Sequence, residues 1–209
     1  MKSEDEKLYR IAFVLSVFTI VYNLAEGLVS AYFGMEDEVL TLFGFGMDSF
    51  IETISATGIA HMIIRIMRNP HSSRDKFEIT ALKITGWSFY LLCVLLAVMA
   101  IEKILHRENP ATTFWGIVIS LVSISIMLVT IYWKISLGKK LNSKPLIADA
   151  GCAKVCVYMS VVLLVSSLLW HLFKLPYVDV AGTAGIIYFS LSEGRECFEK
   201  AKGMECCRH

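Results

Sequence analysis

Residues 43–66 read FGFGMDSFIETISATGIAHMIIRI. This apolar stretch sets Asp48 and Glu52 four residues apart, one helical turn, on the same face. A bare charge at the centre of a bilayer costs roughly 2.5–3.5 kcal/mol by the lowest estimates, so acids in such a setting line a pathway or bind an ion. A second stretch, residues 146–170, reads LIADAGCAKVCVYMSVVLLVSSLLW and puts Asp149, Cys152 and Cys156 on one face in the same way. Carboxylates and thiolates one turn apart are metal ligands in kind and in spacing.

The rest of the chain is built from similar blocks. It has 209 residues, 56% of them apolar, with a mean hydropathy of +0.59. Six apolar blocks, at about 8–33, 39–66, 79–104, 113–135, 146–173 and 177–198, each reach the roughly 20 residues needed to cross about 30 Å of hydrocarbon. The expectation is an all-α membrane protein, six transmembrane helices in one bundle, with no soluble domain and a short Cys/His-containing tail at 199–209. Asn69-Pro70, Asn109-Pro110, Pro145 and Pro176 punctuate the blocks, and short connections make neighbouring helices antiparallel. Small residues, Gly44, Gly46, Ser49, Ala56 and Gly58 in the second block and Ala181, Gly182, Ala184 and Gly185 in the sixth, read chiefly as packing faces. Trp87 lies well inside the third block, which argues for a later start to that helix.

The net charge is only +1, but its distribution is lopsided. Lys2, Lys7 and Arg10 precede the first block; Arg65, Arg68, Arg74 and Lys76 follow the second; Lys134, Lys139, Lys140 and Lys144 separate the fourth from the fifth; Arg195, Lys200, Lys202 and Arg208 close the chain. The alternate connections hold only Lys103, Arg107 and Lys174, so the positive-inside rule places both termini in the cytoplasm. The first apolar stretch is too long for a signal peptide and lacks a small-residue cleavage site. Of six cysteines, Cys93, Cys152 and Cys156 fall in membrane blocks, and Cys197, Cys206 and Cys207 on the expected cytoplasmic side, where thiols stay reduced.

Two acids a turn apart repel each other in low dielectric, and either a divalent cation or a proton relieves the repulsion. Such a pair exchanges protons for metal, which is the physical core of an antiporter. Asn23 and Glu26 share a face of the first block, and Glu26 is a candidate third acidic ligand. Asp149, Cys152 and Cys156 are the candidate ligands of the fifth block, while Lys154 points elsewhere. His61 near the end of the second block reads as a surface histidine, and the Glu102/His106 pair as a possible outer cation attractor. Cys206, Cys207 and His209 are soft-metal ligand types that bind weakly without further partners. No nucleophile–base pair, phosphate loop or HExxH motif points to an enzyme, and no nucleic-acid partner is expected. Three functions share these residues: a metal transporter, a membrane metal-binding or sensing protein without transport, and a proton-coupled organic-cation carrier.

At these positions the chain resembles the cation diffusion facilitator family, six-helix transporters with both termini in the cytosol. That family's transport site takes two residues one turn apart from the second helix and two from the fifth. Asp48 and Glu52 match the second-helix positions in GFGMDSFIETISA. On the fifth helix the family has Ala-Asp followed by His and Asp; here Ala148-Asp149 is followed by Cys152 and Cys156 in that register. VDVAGTAGIIYFSLSEGRECFE, residues 178–199, resembles the family's Asp-initiated last helix. The resemblance implies export of a divalent transition metal, Zn2+ or another ion such as Cd2+ or Fe2+, in exchange for protons, across the lipid bilayer of a prokaryotic plasma membrane. The metal is cargo, and no cofactor is implied. Thiols in place of His and Asp shift the expected preference toward soft ions and away from manganese and magnesium. Without the family's cytosolic C-terminal domain, a homodimer has to form through membrane helices.

Overall fold

In a computed structural model of the chain, residues 3–69, 76–106, 109–141, 144–175 and 177–202 are described, without the side chains of 3–5, 77–78, 144–146, 148–149 and 151–152. Six helices follow one another: α1 (Ser3–Glu36), α2 (Leu40–Arg68), α3 (Lys76–His106), α4 (Phe114–Lys140), α5 (Lys144–Phe173) and α6 (Val178–Ala201). There is no strand among the described residues. Helices are what a lipid-embedded chain must form, because each satisfies its own backbone N–H and C=O groups where no water can. Most helix ends run up to five residues beyond the apolar blocks, where charged residues continue the turn; α2, α4 and α6 start one residue later than their blocks and α5 ends with its block. The third helix starts at Lys76, earlier than the third block; Trp87 is 67% exposed on its outer face.

By length and composition five helices can cross a membrane: α1, α2, α3, α4 and α5 over Ala153–Phe173. The exception is α6, whose last third carries Glu193, Arg195, Glu196, Glu199 and Lys200. Its 24 residues still extend roughly 36 Å at 1.5 Å per residue, enough to match its neighbours. Its face of Asp179, Gly182, Thr183, Ile186, Ser190, Glu193 and Cys197 is turned inward.

The bundle is inverted relative to a water-soluble protein. Leu91, Leu105, Leu172, Val14 and Tyr132 are largely exposed, whereas Asn23, Asp48, Ser120, Ser123, Ser160, Thr183 and Ser190 are buried. An apolar exterior suits lipid, and the buried polar side chains, set beside an apolar core of Leu42, Phe45, Leu96, Leu163 and Ile186, suit an ion path within. The helices pair as α1 with α2, α4 with α5 and α3 with α6, and α2 also touches α3, α5 and α6, which makes it the central helix.

Small residues permit the closest of these approaches. A Cβ on Gly46 sits 2.6 Å from the backbone nitrogen of Ala31 in α1. One on Gly182 sits 2.7 Å from the hydroxyl oxygens of both Ser166 and Thr41. The glycines of the second and sixth blocks are therefore packing positions, as in other membrane bundles.

Cross-links between connections fix which ends lie together. Ala111 N–H donates to Asp37 O at 2.9 Å, joining the α3–α4 connection to the α1–α2 connection. The Asp179 carboxylate at the start of α6 accepts from the backbone N–H groups of Leu40 (2.8 Å) and Thr41 (3.0 Å), the first residues of α2. The three odd-numbered connections thus share one end of the bundle. The start of α1, the end of α2, the start of α3, the end of α4, the start of α5 and the end of α6 share the other.

Candidate cation site

Glu52 lies near the midpoint of α2 and Cys156 near that of α5. These two helices touch, and the Cys156 thiol meets Glu52 Oε1 directly. The other Glu52 oxygen accepts from Asn23 Nδ2 of α1 at 3.1 Å. One carboxylate therefore gathers three helices around it. Cys156 is 3% exposed, and its carbonyl accepts from Ser160, whose hydroxyl lies 3.1 Å from that of Ser123 on α4. Cys93, Cys156 and Cys197 are thiols, none of them in a disulfide.

Asp48 sits one turn from Glu52 toward the odd-connection end and is 1% exposed. Its Oδ1 has no hydrogen-bond partner among the described residues. Glu52, Glu193 and Glu26 all lie within electrostatic range of it. A buried polar atom without a partner costs about 1–3 kcal/mol, so this carboxylate is set up to take a cation or a proton.

The remaining expected residues divide. Glu26 is buried, but its oxygens are engaged by Tyr22 OH at 2.6 Å and Ser49 Oγ at 3.0 Å. The helix face shared by Asn23 and Glu26 is real, yet Asn23 serves Glu52 and Glu26 serves a neighbouring hydroxyl pair. The backbones of Asp149 and Cys152 belong to α5, but their side chains lie outside the described residues, as do Cys206, Cys207 and His209. Among the described residues no three His, Cys, Asp or Glu side chains cluster closely enough to hold one ion. Glu102 and His106 are both exposed on the last turn of α3, and Lys154 is exposed.

A cavity of about 50 Å3 reaches from Glu52 and Asn23 past Glu193 and Cys197 of α6 to Lys134 and Lys200, toward the end at which α1 starts and α6 ends. One water needs about 10–15 Å3 of such space, so the cavity holds a few. The opposite end is sealed by the Asp179 carboxylate, which also pairs with Lys103 Nζ at 2.8 Å in a bridge whose side chains are 8% and 4% exposed. Lys103 Nζ donates in addition to Glu38 O, so this lysine ties α3 to α6 and to the α1–α2 connection rather than facing water.

Sequence reasoning missed Glu193. Its carboxylate is 7% exposed and lines the cavity, and its Oε1 has no hydrogen-bond partner among the described residues. The available signal was its spacing: Thr183, Ile186, Ser190, Glu193 and Cys197 recur every three or four residues and form the inward stripe of α6.

A helical bundle with apolar outer faces and buried acids and a thiol beside a cavity that holds a few waters fits a membrane protein. The chain matches the cation efflux transmembrane domain over residues 12–202 and belongs to that family. It is an integral membrane protein. It is also 27% identical over 176 residues to an uncharacterised transporter of the archaeon Methanocaldococcus jannaschii, a match that covers 82% of this chain and 61% of the relative. The chain spans about three fifths of that relative's length.

Proposed function

We propose that this chain is a transporter that carries a thiophilic, zinc-like divalent cation out of the cytoplasm in exchange for protons. The observation that carries the reading is the meeting of the Cys156 thiol with Glu52, across the contact of α5 and α2. A thiol and a carboxylate at the crossing of two central helices are ligands for a borderline or soft metal, and an organic cation has no use for the thiol. Asp48, one turn away and short of a partner, supplies the second acid. Cys152, one turn before Cys156 on α5, supplies the second thiol. Metal binds these groups as anions, so each proton they hold in the empty site leaves as the ion arrives.

The cavity supports export as the direction of exchange. It extends from Glu52 toward Lys134 and Lys200, at the helix ends that the positive-inside rule assigns to the cytoplasm. The other end is closed by Asp179 and Lys103. An inward-facing arrangement of this kind loads from the cytoplasm and releases outward once the helices rock about the site. Metal flux into proteoliposomes, with zinc, cadmium, iron, manganese and magnesium each driven by an imposed pH gradient, tests this reading. Zinc or cadmium uptake that depends on the gradient is expected. Binding without flux makes the chain a metal-binding membrane protein instead.

A further inference from the structure

A second pair of metal-ligand types lies on the cavity wall, away from the helix crossing. Glu193 and Cys197 are one helical turn apart on the inward stripe of α6, 7% and 5% exposed, and both line the cavity. Two independent observations set this pair apart from packing. Glu193 Oε1 is buried with no hydrogen-bond partner among the described residues. The cavity has room for a few waters to complete a coordination shell. On the same wall Lys200 Nζ bridges to Glu196 at 2.7 Å, and its charge also reaches Glu193 and Cys197.

We infer that Glu193 and Cys197 form a second cation site, a loading station on α6 where a thiophilic divalent ion binds through one carboxylate, one thiolate and cavity waters before it passes to Glu52. Among the described residues no three ligand types gather at one point. The interior instead offers two acid–thiol pairs, Glu52 with Cys156 and Glu193 with Cys197, both bordering one cavity or its head. Two protein ligands plus water bind an ion weakly, and a relay requires this, because an ion held too firmly does not move on. The station's place in a transport cycle rests on the reading given under Proposed function; ion binding at the pair does not.

Cadmium is the probe, because a cadmium–thiolate bond has its own ultraviolet charge-transfer absorption. The purified full chain with Cys93, Cys152, Cys156, Cys206 and Cys207 replaced by serine keeps Cys197 as its one thiol. Titration with cadmium is expected to raise the charge-transfer band. Glu193→Gln should then raise the half-saturating concentration by at least about tenfold, the scale of a lost metal-supporting group. No band, or an unchanged midpoint in Glu193→Gln, overturns the site. Should five substitutions unfold the protein, the otherwise native chain decides: Cys197→Ser must lower the band at saturating cadmium, and an unaltered amplitude rejects the proposal. The thiol-depleted chain lacks Cys156, so failure here and failure of the Glu52–Cys156 site are read separately.

Discussion

Asp48 and Glu52 do different things despite their shared face. Glu52 is held by Asn23 and Cys156, while one oxygen of Asp48 lacks a partner. Removing a charge that faces a buried cation costs about 2–5 kcal/mol, and 2.8 kcal/mol is about 100-fold in affinity. Asp48→Asn and Glu52→Gln should therefore each lower metal flux by about two orders of magnitude while membrane insertion stays normal; wild-type flux in either variant removes that residue from the site. Asn23→Ala strips one hydrogen bond from Glu52 and should weaken metal binding by about 10–100-fold, as read by calorimetry. Replacing Cys152 with His together with Cys156 with Asp trades thiolates for harder ligands, and the ion ranking should move from cadmium toward zinc and manganese. An unchanged ranking means that the thiols do not touch the ion. Proton coupling has a definite sign. Protons compete for carboxylates and thiolates that bind metal as anions, so apparent affinity rises as pH rises. Calorimetric heats should also vary with the ionisation enthalpy of the buffer, and an affinity flat between about pH 6 and 8 contradicts exchange.

At the scale of the elements, the closed end depends on a single side chain. The Asp179 carboxylate accepts two N–H groups from the start of α2 and faces the Lys103 ammonium of α3. It caps a helix other than its own, where negative charge also favours the positive end of the α2 dipole. Asp179→Asn leaves a buried ammonium without its counter-charge, a loss of about 3–5 kcal/mol. The solubilised variant should melt well below the native protein. Adding Lys103→Met to it should recover part of the loss, because the unpaired charge goes as well. Equal melting of the native protein and Asp179→Asn would show that the bridge contributes nothing. The contact of α1 with α2 rests on Gly46 rather than on charge. Its Cβ position lies 2.6 Å from the Ala31 nitrogen, so Gly46→Leu pushes α1 away and with it the Asn23 support of Glu52.

For the molecule as a whole, the arrangement is asymmetric: a cavity lies toward one end of the interior and a salt bridge shuts the other. Ser55 lines the cavity, whereas Ser166, bonded to Val178 O at 3.2 Å, lies by the closed end. In native membranes, in a chain whose Cys197, Cys206 and Cys207 are replaced by serine, a membrane-impermeant maleimide should label Ser55→Cys from the face at which α1 starts and α6 ends and leave Ser166→Cys unlabelled from either face. Labelling of Ser55→Cys from the opposite face would reverse the orientation assigned to the bundle. Zinc added in excess with an opposing pH gradient should slow Ser55→Cys labelling, as the population shifts toward states that open outward.

The sequence alone determined the helices. Apolar block length sets which helices can cross the membrane, because crossing depends on local composition against a fixed bilayer thickness; the alternation of Lys and Arg between connections gives the expected orientation. It also pointed to Asp48, Glu52 and Cys156, since an acid or thiol pattern inside an apolar block stands out without knowledge of its neighbours. Which groups meet was decided only by the tertiary structure. Helical periodicity says that Glu26 and Asn23 share a face, but only the packing of α1 on α2 sends Asn23 to Glu52 and Glu26 to Ser49. Glu193 sits among the charged residues that close α6 and looks like part of a solvated helix end. The contacts of α6 with α2, α3 and α5 bury it beside the cavity. Lys103 reads as one of the few positive charges near an outer connection, yet it is drawn inward because Asp179, 76 residues away in the chain, arrives at the same point. Pairings across such separations depend on rigid-body helix packing, which no local pattern of residues encodes.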